Sequence, residues 1–392
     1  MRRIVIRMIL LCMLLPAIFL SAGCGSAGGE SAGGEISGTA PENGAASSGH
    51  GAGSAESSGH GAVGAAFSGH GAAGEIPEAS EEVFAMDTYM TITCYGERAQ
   101  EAADAAVSEI RRLDALLSVG EAESEISRIN SEKEGTISSD TAAILEEALR
   151  IWQDTGGAFD ITVYPLMEAW GFTSGEFRVP DEEELTDLLA AAGSGRISTD
   201  PAGGTVRIGE DQGIDLGGIA KGYASDRLME IFRGYGLTGG VVSLGGNVEC
   251  FGTKPDGSLW RCGIQSPLER GELMGILEIP DGAVITSGAY ERFFTDEQTG
   301  KTYHHILDPS TGYPAETGLL SVTVVSPDGM MADALSTACY VMGAEKAIAF
   351  WRDYDRPFDL IIMTEDEEIL VTEGIADRFD SSYPVTIVKD AG

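Results

Sequence analysis

The run DLGGIAKGYASD, residues 215–226, leads from an apolar segment through two glycines into a helical pattern. It predicts a short strand that ends at Gly217 and Gly218, followed by a helix that begins near Ala220. Paired glycines let the backbone approach a ligand, and the free N–H groups of a helix N-terminus can bind phosphate. Lys221 adds a positive donor to a strongly acidic chain. The alternative is a glycine-rich left-handed turn with Lys221 in solvent.

Helical and strand-like patterns alternate on both sides of this run. Helices are predicted at 97–117, from Ser139 or Asp140 through Trp152, from Pro180 through Leu189, at 220–235 and at 330–342. Strands are predicted at 204–208, 241–244, 260–264, 273–279, 283–287, 319–325, 359–363 and 368–372. Helices that bracket and interrupt a mostly antiparallel set of strands predict an α+β fold.

The N-terminus has the pattern of a bacterial lipoprotein signal. Three arginines precede an apolar run, 8–20, that is too short for a comfortable membrane span. Cys24 follows Ser-Ala-Gly, which resembles a lipobox, although Ser21 stands where an aliphatic residue is usual. We expect a signal peptide at 1–23, acylation (palmitate) at Cys24 and anchoring at the extracytoplasmic face of the cell membrane. An ordinary secretory signal with an incidental cysteine is the alternative.

Residues 24–79 are of low complexity and predict a disordered tether. SAGGE occurs twice and SGHGA three times, and glycine, alanine, serine and glutamate dominate. Such a segment cannot bury enough apolar surface to offset the entropy of ordering it, and it would span roughly 40 Å as a random coil. His50, His60 and His70 in the repeats suggest either a metal-scavenging tract or repeat expansion in a spacer.

Charge and cysteine content exclude some classes of function. The net charge is −37, and removing the three signal arginines leaves 22 basic against 62 acidic residues. We expect no nucleic-acid partner, because such binding depends on Lys and Arg at phosphates. To bind an anionic substrate, so acidic a protein would need a metal ion or local hydrogen-bond donors to offset its own negative charge. Cys250 and Cys262 flank a predicted turn and could pair in an oxidising compartment, whereas Cys339 fits a buried helix position.

The run DALSTACYVMG, residues 333–343, indicates a cation site on a helix. Asp333 and Thr337 are four residues apart and share one face. A carboxylate and a hydroxyl can hold Mg²⁺, with backbone carbonyls and phosphate oxygens completing the shell. The alternative is that the Thr337 hydroxyl bonds back to the carbonyl of residue 333.

Two further runs contain candidate site residues. HHILDPSTGYP begins with His304 and His305, which form either a site or a hairpin edge with one packed and one solvated ring. GGAFDITVYPLMEAWGF, residues 156–172, has aromatics that could line a slot for a flat ring, with Asp160 on its polar edge. Aromatic runs of this kind are also ordinary core.

Together these runs resemble the ApbE-type flavin transferases, enzymes of the bacterial envelope that transfer FMN from FAD to protein. The resemblance covers about 83–385. Its motifs are MDTYMTI, SEISRIN, GGAFDIT, DLGGIAKGYA, SLGGNV, ITSGAYERFF, YHHILDPSTG and DALSTA. The resemblance implies a single large ApbE/T-fold-like domain at 80–390, with a mostly antiparallel sheet and flanking helices.

The resemblance also implies roles for individual residues. Asp333, Thr337 and the backbone carbonyl of Gly218 would bind Mg²⁺, and His305 matches the family's motif histidine near the pyrophosphate. His305 is our candidate for handling the acceptor's proton, and a purely orienting role is the alternative. FAD contacts would come from Met86, Ala158, Phe159, Asp160, Asp215, Lys221 and Leu307. Members commonly carry an STY run before SEISR. Here Gly120 stands in place of its tyrosine, so that contact is absent or comes from another residue.

The expected activity is Mg²⁺-dependent transfer of FMN from FAD to a threonine hydroxyl of an acceptor protein, releasing AMP. The expected partners are FAD, acceptor proteins of membrane redox complexes, and the membrane through the lipid anchor. Hydrolysis of FAD to FMN and AMP is one alternative. A non-catalytic flavin-binding lipoprotein is another.

Overall fold

The computed structural model describes residues 76–200 and 202–390. The predicted signal peptide, Cys24, the repeat histidines and the tether up to residue 75 lie outside the described residues. The first strand begins at Glu78, two residues before the predicted start of the folded domain. In the described ranges, no helix is both long enough and apolar enough to cross a membrane.

The described chain contains helices and strands in mixed order, as predicted. The helices are α1 (Ala99–Leu117), α2 (Glu125–Glu132), α3 (Ser139–Asp154), α4 (Tyr164–Trp170), α5 (Glu182–Ala191), α6 (Ala220–Gly234), α7 (Gly329–Met342) and α8 (Ala344–Asp353). The strands are β1 (Glu78–Ala85), β2 (Thr88–Tyr95), β3 (Glu134–Thr136), β4 (Ser198–Asp200), β5 (Thr205–Arg207), β6 (Gly239–Leu244), β7 (Asn247–Gly252), β8 (Trp260–Gln265), β9 (Leu273–Ile279), β10 (Gly282–Gly288), β11 (Phe293–Thr295), β12 (Thr302–His304), β13 (Leu319–Ser326), β14 (Asp359–Thr364), β15 (Ile369–Thr372), β16 (Phe379–Asp380) and β17 (Val385–Val388).

A nine-stranded sheet organises the domain, in the order β1-β2-β6-β7-β10-β13-β14-β15-β17. Neighbouring strands are antiparallel except β15 and β17, which run parallel. Three smaller sheets accompany it: β16-β9-β8, β3-β5-β4 and the hairpin β11-β12. The fold is therefore α+β with a large, mostly antiparallel sheet, and the predicted fold class is confirmed.

Helices cover one face of the large sheet. In α1, the predicted apolar stripe of Ala102, Ala106, Ile110, Leu113 and Leu117 is buried, which holds this helix on the sheet. Helix α7 packs against β10 and β13, and α6 packs against α7 and β7. A second apolar cluster, which includes Cys250 and Trp260, lies between strands of the large sheet and the β16-β9-β8 sheet.

Several helix starts differ from the sequence prediction by one or two residues. The side chain of Ser138, not Ser139 or Asp140, accepts from the N–H of Thr141 and caps α3. Asp181 caps α5 by accepting from Glu184, so Pro180 precedes the helix. The backbone hydrogen bond that each cap makes decides these boundaries.

Candidate active site

Helix α7 directs two polar side chains toward the start of α6. Oδ2 of Asp333 accepts from the backbone N–H of Gly222 at 2.9 Å, and the side chain is buried. Oγ1 of Thr337 lies 3.2 Å from Oγ of Ser287, and a Cβ added to Gly218 would lie 3.8 Å from that same Oγ1. The structure therefore brings Asp333, Thr337 and Gly218 together at the α6–α7 junction.

The competing explanation for Thr337 does not hold. Ser336, not Thr337, donates its hydroxyl back to the carbonyl of Asp333, at 2.8 Å. The only side-chain hydrogen bond of Thr337 crosses to Ser287 on β10, among those the structure describes. Its hydroxyl is thus directed out of its own helix.

These donors fit a hard cation. One carboxylate, one hydroxyl and a carbonyl are all oxygen ligands, which suit Mg²⁺, an ion that keeps several waters and takes further oxygens from substrate phosphates. In the ranges 76–200 and 202–390, no group of three or more His, Cys, Asp or Glu side chains is arranged to hold a metal.

The glycine-rich run before α6 has a different structure from the predicted one. Residues 212–216 form an extended loop rather than a strand, a turn follows at 217–219, and α6 begins at Ala220. Neither Gly217 nor Gly218 has a positive φ, so the left-handed alternative is also wrong. Glycine is favoured at position 218 because the ring of Phe159 packs closely against the backbone there, and an added Cβ would lie 3.1 Å from that ring.

Two cations lie beside this junction in an otherwise acidic protein. Nζ of Lys221 donates to the carbonyl of Gly217 at 3.1 Å, and Nη2 of Arg292 donates to the carbonyl of Phe172 at 2.6 Å. Both cations act on the pKa of Asp215, lowering it, although burial has the larger effect and raises it. Their positive charge can offset the phosphates of a dinucleotide.

Glu291 is an acid near the same junction, since the charges of Asp333, Lys221 and Arg292 all act on its pKa. Its side chain is exposed, although many protein atoms surround it. Burial raises the pKa of Glu291 to about 7, the charge on Asp333 raises it further, and Lys221 and Arg292 lower it. Neither Glu291 nor Arg292 was among the site residues predicted from the sequence. The signal was available in the GAYERFF part of a motif, directly after β10.

The two adjacent histidines have different environments. Nε2 of His304 lies 3.2 Å from the carbonyl of Ala315, and its Nδ1 accepts from the N–H of Ile306, so both ring nitrogens are used. Nδ1 of His305 lies 3.2 Å from the carbonyl of Arg292, so this nitrogen carries the hydrogen and Nε2 stays open. Burial and the charge of Arg292 lower the pKa of His305 to about 3. His305 is thus neutral at neutral pH.

The residues expected to contact the flavin nucleotide fall into two groups. Phe159 packs on Gly218, and Met86 sits in the turn between β1 and β2, where its N–H donates to Asp114 at 3.0 Å. Met86 and Asp87 both have positive φ, 48° and 58°, a strained backbone that is common at functional sites. Asp87 also raises the pKa of Asp215, so this turn lies near the loop that precedes α6.

In the second group, Asp160 and Leu307 are buried and Ala158 is half-buried. The carboxylate of Asp160 accepts four hydrogen bonds, from the backbone N–H and the hydroxyl of Thr162 and of Ser194. The side chain of Leu307 is buried in an aromatic cluster with Trp170 and Phe172. The predicted contacts of Ala158, Asp160 and Leu307 with FAD stay predictions.

The aromatic run around residue 170 is core. Trp170 and Phe172 are fully buried, and the indole N–H of Trp170 donates to the carbonyl of Gly312 at 2.8 Å. Gly120, at the position of the family tyrosine, is exposed and opens onto free space apart from the hydroxyl of Ser118. Neither the buried aromatic run nor the surroundings of Gly120 therefore supplies an aromatic ring in place of the family tyrosine.

Comparison with known proteins identifies the family to which this chain is similar. The model of the ApbE family matches residues 86–362. The FAD:protein FMN transferase of Treponema pallidum is 30% identical over 325 residues, which cover 77% of this chain and 89% of that protein. The protein of the same name from Vibrio cholerae is 36% identical over 251 residues, covering 62% of this chain and 74% of that protein.

Two solved structures have the same fold. The ApbE protein of Thermotoga maritima superposes with a TM-score of 0.71 at 34% identity, covering 76% of this chain and 98% of that one. The flavin transferase ApbE from Vibrio cholerae gives a TM-score of 0.65 at 28% identity, covering 79% of this chain and 97% of that one. The family model spans well over half of the chain, and on this evidence the chain belongs to the ApbE family.

Proposed function

We propose that this protein transfers FMN from FAD to a threonine hydroxyl of an extracytoplasmic acceptor protein, in a Mg²⁺-dependent reaction that releases AMP. Flavin transfer is the activity in the names of its relatives. The observation that carries the proposal is the meeting of Asp333, Thr337 and Gly218 beside Lys221 and His305. It is the arrangement that a pyrophosphate substrate would need.

The reaction is a phosphoryl-type transfer. A bond forms between the acceptor's threonine oxygen and the phosphorus of the FMN half. The bond from that phosphorus to the bridging oxygen breaks, and AMP leaves with the electron pair. Such a transfer requires neutralised phosphate charge and an aligned nucleophile. When bound, Mg²⁺ supplies charge neutralisation at the phosphate oxygens.

The chain's own residues would do the remaining work. Asp333, Thr337 and the carbonyl of Gly218 would hold the ion, and Lys221 and Arg292 would steady the phosphates. The open Nε2 of His305 would accept the proton of the acceptor's hydroxyl, because Nδ1 is committed to the carbonyl of Arg292.

We also propose that Cys24 is acylated and anchors the protein at the extracytoplasmic face of the membrane. The basic, apolar and small-residue order of the first 24 residues supports this. A flexible tether of roughly 40 Å would let the domain reach acceptors in neighbouring membrane complexes.

The test is a mass measurement. Purified protein is incubated with FAD, Mg²⁺ and a threonine-bearing subunit of a membrane redox complex, and the acceptor should gain the mass of one FMN. Asp333→Ala should abolish the gain, and Thr→Ala at the acceptor site should do the same. Steady AMP release without an adduct would establish hydrolysis instead. Tight FAD binding with no turnover, unaffected by Asp333→Ala, would establish a flavin carrier.

A further inference from the structure

A buried carboxyl group lies behind the proposed metal site. Among the described residues, only two buried side-chain atoms lack a hydrogen-bond partner, Nδ2 of Asn247 and Oε2 of Glu249. Both residues belong to β7 and are two positions apart, so they point to the same face, where α6 packs. Glu249 is 3% exposed. An ionised carboxylate with an unpaired oxygen is costly at such a position.

The neighbour of Glu249 is another acid, Asp226 on α6. Both carboxyl groups meet at Gly329: Oδ1 of Asp226 accepts from its N–H at 2.9 Å, and Oε2 of Glu249 lies 2.8 Å from the position that an added Cβ would take there. The hydroxyl of Ser225 donates to the carbonyl of Gly222 at 2.9 Å, so it has no hydrogen left for Glu249. Two buried carboxyl groups this close cannot both ionise without a large cost, so one of them keeps its proton and can donate it to the other. The unpartnered Oε2 of Glu249 is therefore accounted for by an O–H group rather than by a bare anion.

The backbone decides which acid holds the proton. Oδ1 of Asp226 accepts from the N–H of Gly329 at 2.9 Å, and Oδ2 accepts from the N–H of Met330 at 2.8 Å. These are the first amides of α7, where the helix dipole favours negative charge. Asp226 is thus the anion and Glu249 the neutral donor. Burial raises the pKa of both groups, that of Asp226 to about 6 and that of Glu249 well above its usual range.

Other charged groups surround the pair on each packed element. Asp328, which precedes α7, raises the pKa of Asp226 but is itself paired with Arg356 at 2.7 Å. Arg233 of α6 lowers the pKa of Glu249, and Asp281, in the turn before β10, raises it. Arg233 and Asp281 lie 3.9 Å apart as a weak exposed pair. None of these side chains neutralises Glu249 by direct contact in the described structure.

Asp226 and its partner Gly329 lie one helical turn from the contact between Gly222 and Asp333. Asp226 follows Gly222 by four positions on α6, and Gly329 precedes Asp333 by four positions on α7. A Cβ on Gly329 would lie only 2.8 Å from Oε2 of Glu249. The first turn of α7 therefore packs directly on the two acids. If the acids moved apart, the first turn of α7 would shift, and Asp333 in the next turn would shift with it.

We propose that Asp226 and Glu249 are positioning residues that share one proton, hold the first turn of α7 on α6, and so fix Asp333 and Thr337 for the metal ion. The link to the metal rests on the proposed function, whereas the shared proton does not. Loss of that proton places two negative charges in contact under α7. The site should therefore loosen as the pH rises.

The first experiment measures unfolding of the metal-free protein by denaturant across pH. A carboxyl group whose pKa is raised on folding loses stability as the pH climbs from its unfolded value, about 4.3 for Glu, through its folded value. Glu249→Gln keeps a hydrogen-bond donor at this position but cannot become charged. The free energy of unfolding of this variant should therefore fall less than that of wild type as the pH rises, and should exceed it at the alkaline end. Glu249→Ala should be less stable throughout. The exposed Glu82→Gln is the matched control and should follow wild type.

The second experiment measures the Mg²⁺ concentration needed for half-maximal FMN transfer. Supporting residues behind a metal site change metal affinity by on the order of ten-fold or more. Glu249→Ala and Asp226→Asn should raise the Mg²⁺ requirement by about that factor with the KM for FAD within about two-fold of wild type, whereas Glu249→Gln should stay close to wild type at pH 7.

The two experiments can fail separately. A Glu249→Gln stability curve parallel to that of wild type would overturn the shared proton, whatever the enzyme does. An unchanged Mg²⁺ requirement in Glu249→Ala would overturn the positioning role. A wild-type protein that transfers no FMN would refute the proposed function and leave the stability result standing.

Discussion

The backbone N–H of Gly222 donates to Oδ2 of Asp333 at 2.9 Å, across the junction of α6 and α7. One carboxylate oxygen of Asp333 is thereby fixed by the neighbouring helix, which leaves Oδ1 for another partner. The contact exists because Gly222 has no side chain. An added Cβ would lie 2.2 Å from the carbonyl oxygen of Gly329 and 2.7 Å from Cβ of Asp333.

Gly222→Ala should therefore separate the two helices. We expect a loss of about 2 kcal/mol in the free energy of unfolding, the usual cost of overpacking, and loss of nearly all FMN transfer. Gly234→Ala, in the last turn of the same helix with no atom within 4 Å of the new Cβ, is the control. It should be neutral or stabilising by up to about 1 kcal/mol. Equal effects of the two substitutions would contradict the close-packing argument.

Thr337→Ala removes a proposed metal ligand that also bonds Ser287. We expect the Mg²⁺ concentration for half-maximal activity to rise on the order of ten-fold. Thr337→Ser keeps the hydroxyl and should stay within a few-fold of wild type. Titration of activity with Mg²⁺ at saturating FAD separates the variants. If Thr337→Ala and Thr337→Ser needed the same Mg²⁺ concentration for half-maximal activity, the Thr337 hydroxyl would not be a metal ligand.

His305 should show no ionisation near pH 6.5, because its pKa is lowered to about 3 by burial and by Arg292. The ring stays neutral from about pH 5 upward, so kcat/KM should not fall through protonation of His305 in that range. His305→Gln should lower the rate about 100-fold or more, the usual contribution of a general base. His304→Gln, whose ring is bound on both sides, should affect stability more than rate. An acid limb near pH 6.5 that vanishes in His305→Gln would show that the ring ionises there.

Cys250 and Cys262 have their sulfur atoms 3.7 Å apart, both buried, with β7 and β8 belonging to different sheets. Oxidised glutathione should remove two hydrogen atoms from the pair by disulfide exchange, visible as a mass loss and protection from alkylation in denaturant. Closing so short a loop should add about 2–3 kcal/mol of stability. Cys250→Ala with Cys262→Ala should show neither change. Cys94 and Cys339 should stay reduced.

The sequence predicted the elements whose apolar periodicity is local and strong. Helices α1, α6 and α7 begin and end within about two residues of their predicted bounds. The β1-β2 hairpin was missed, because β1 is an edge strand with exposed glutamates, and its turn uses Met86 and Asp87 in place of the glycine or asparagine that signals such turns. The strand predicted before Gly217 was wrong, because a short apolar run does not distinguish a strand from a buried extended loop.

The candidate site was predictable to the extent that its residues lie in one motif. The i, i+4 spacing of Asp333 and Thr337 puts both on one helix face, and the structure places Gly218 against that face. The pairing of Asp226 with Glu249 could not be predicted, because the residues are 23 positions apart on different elements. The same is true of Glu291, whose elevated pKa depends on Asp333 and on burial in the folded chain.

Strand β1 also separates the start of the described chain from the turn that carries Met86. The chain enters the sheet at Glu78 and runs eight residues to the turn at Met86, a path of about 25 Å. The start of the described chain and the turn that carries Met86 therefore lie at opposite ends of one hairpin. A bulky molecule could approach that turn without meeting the residues by which the chain enters the sheet.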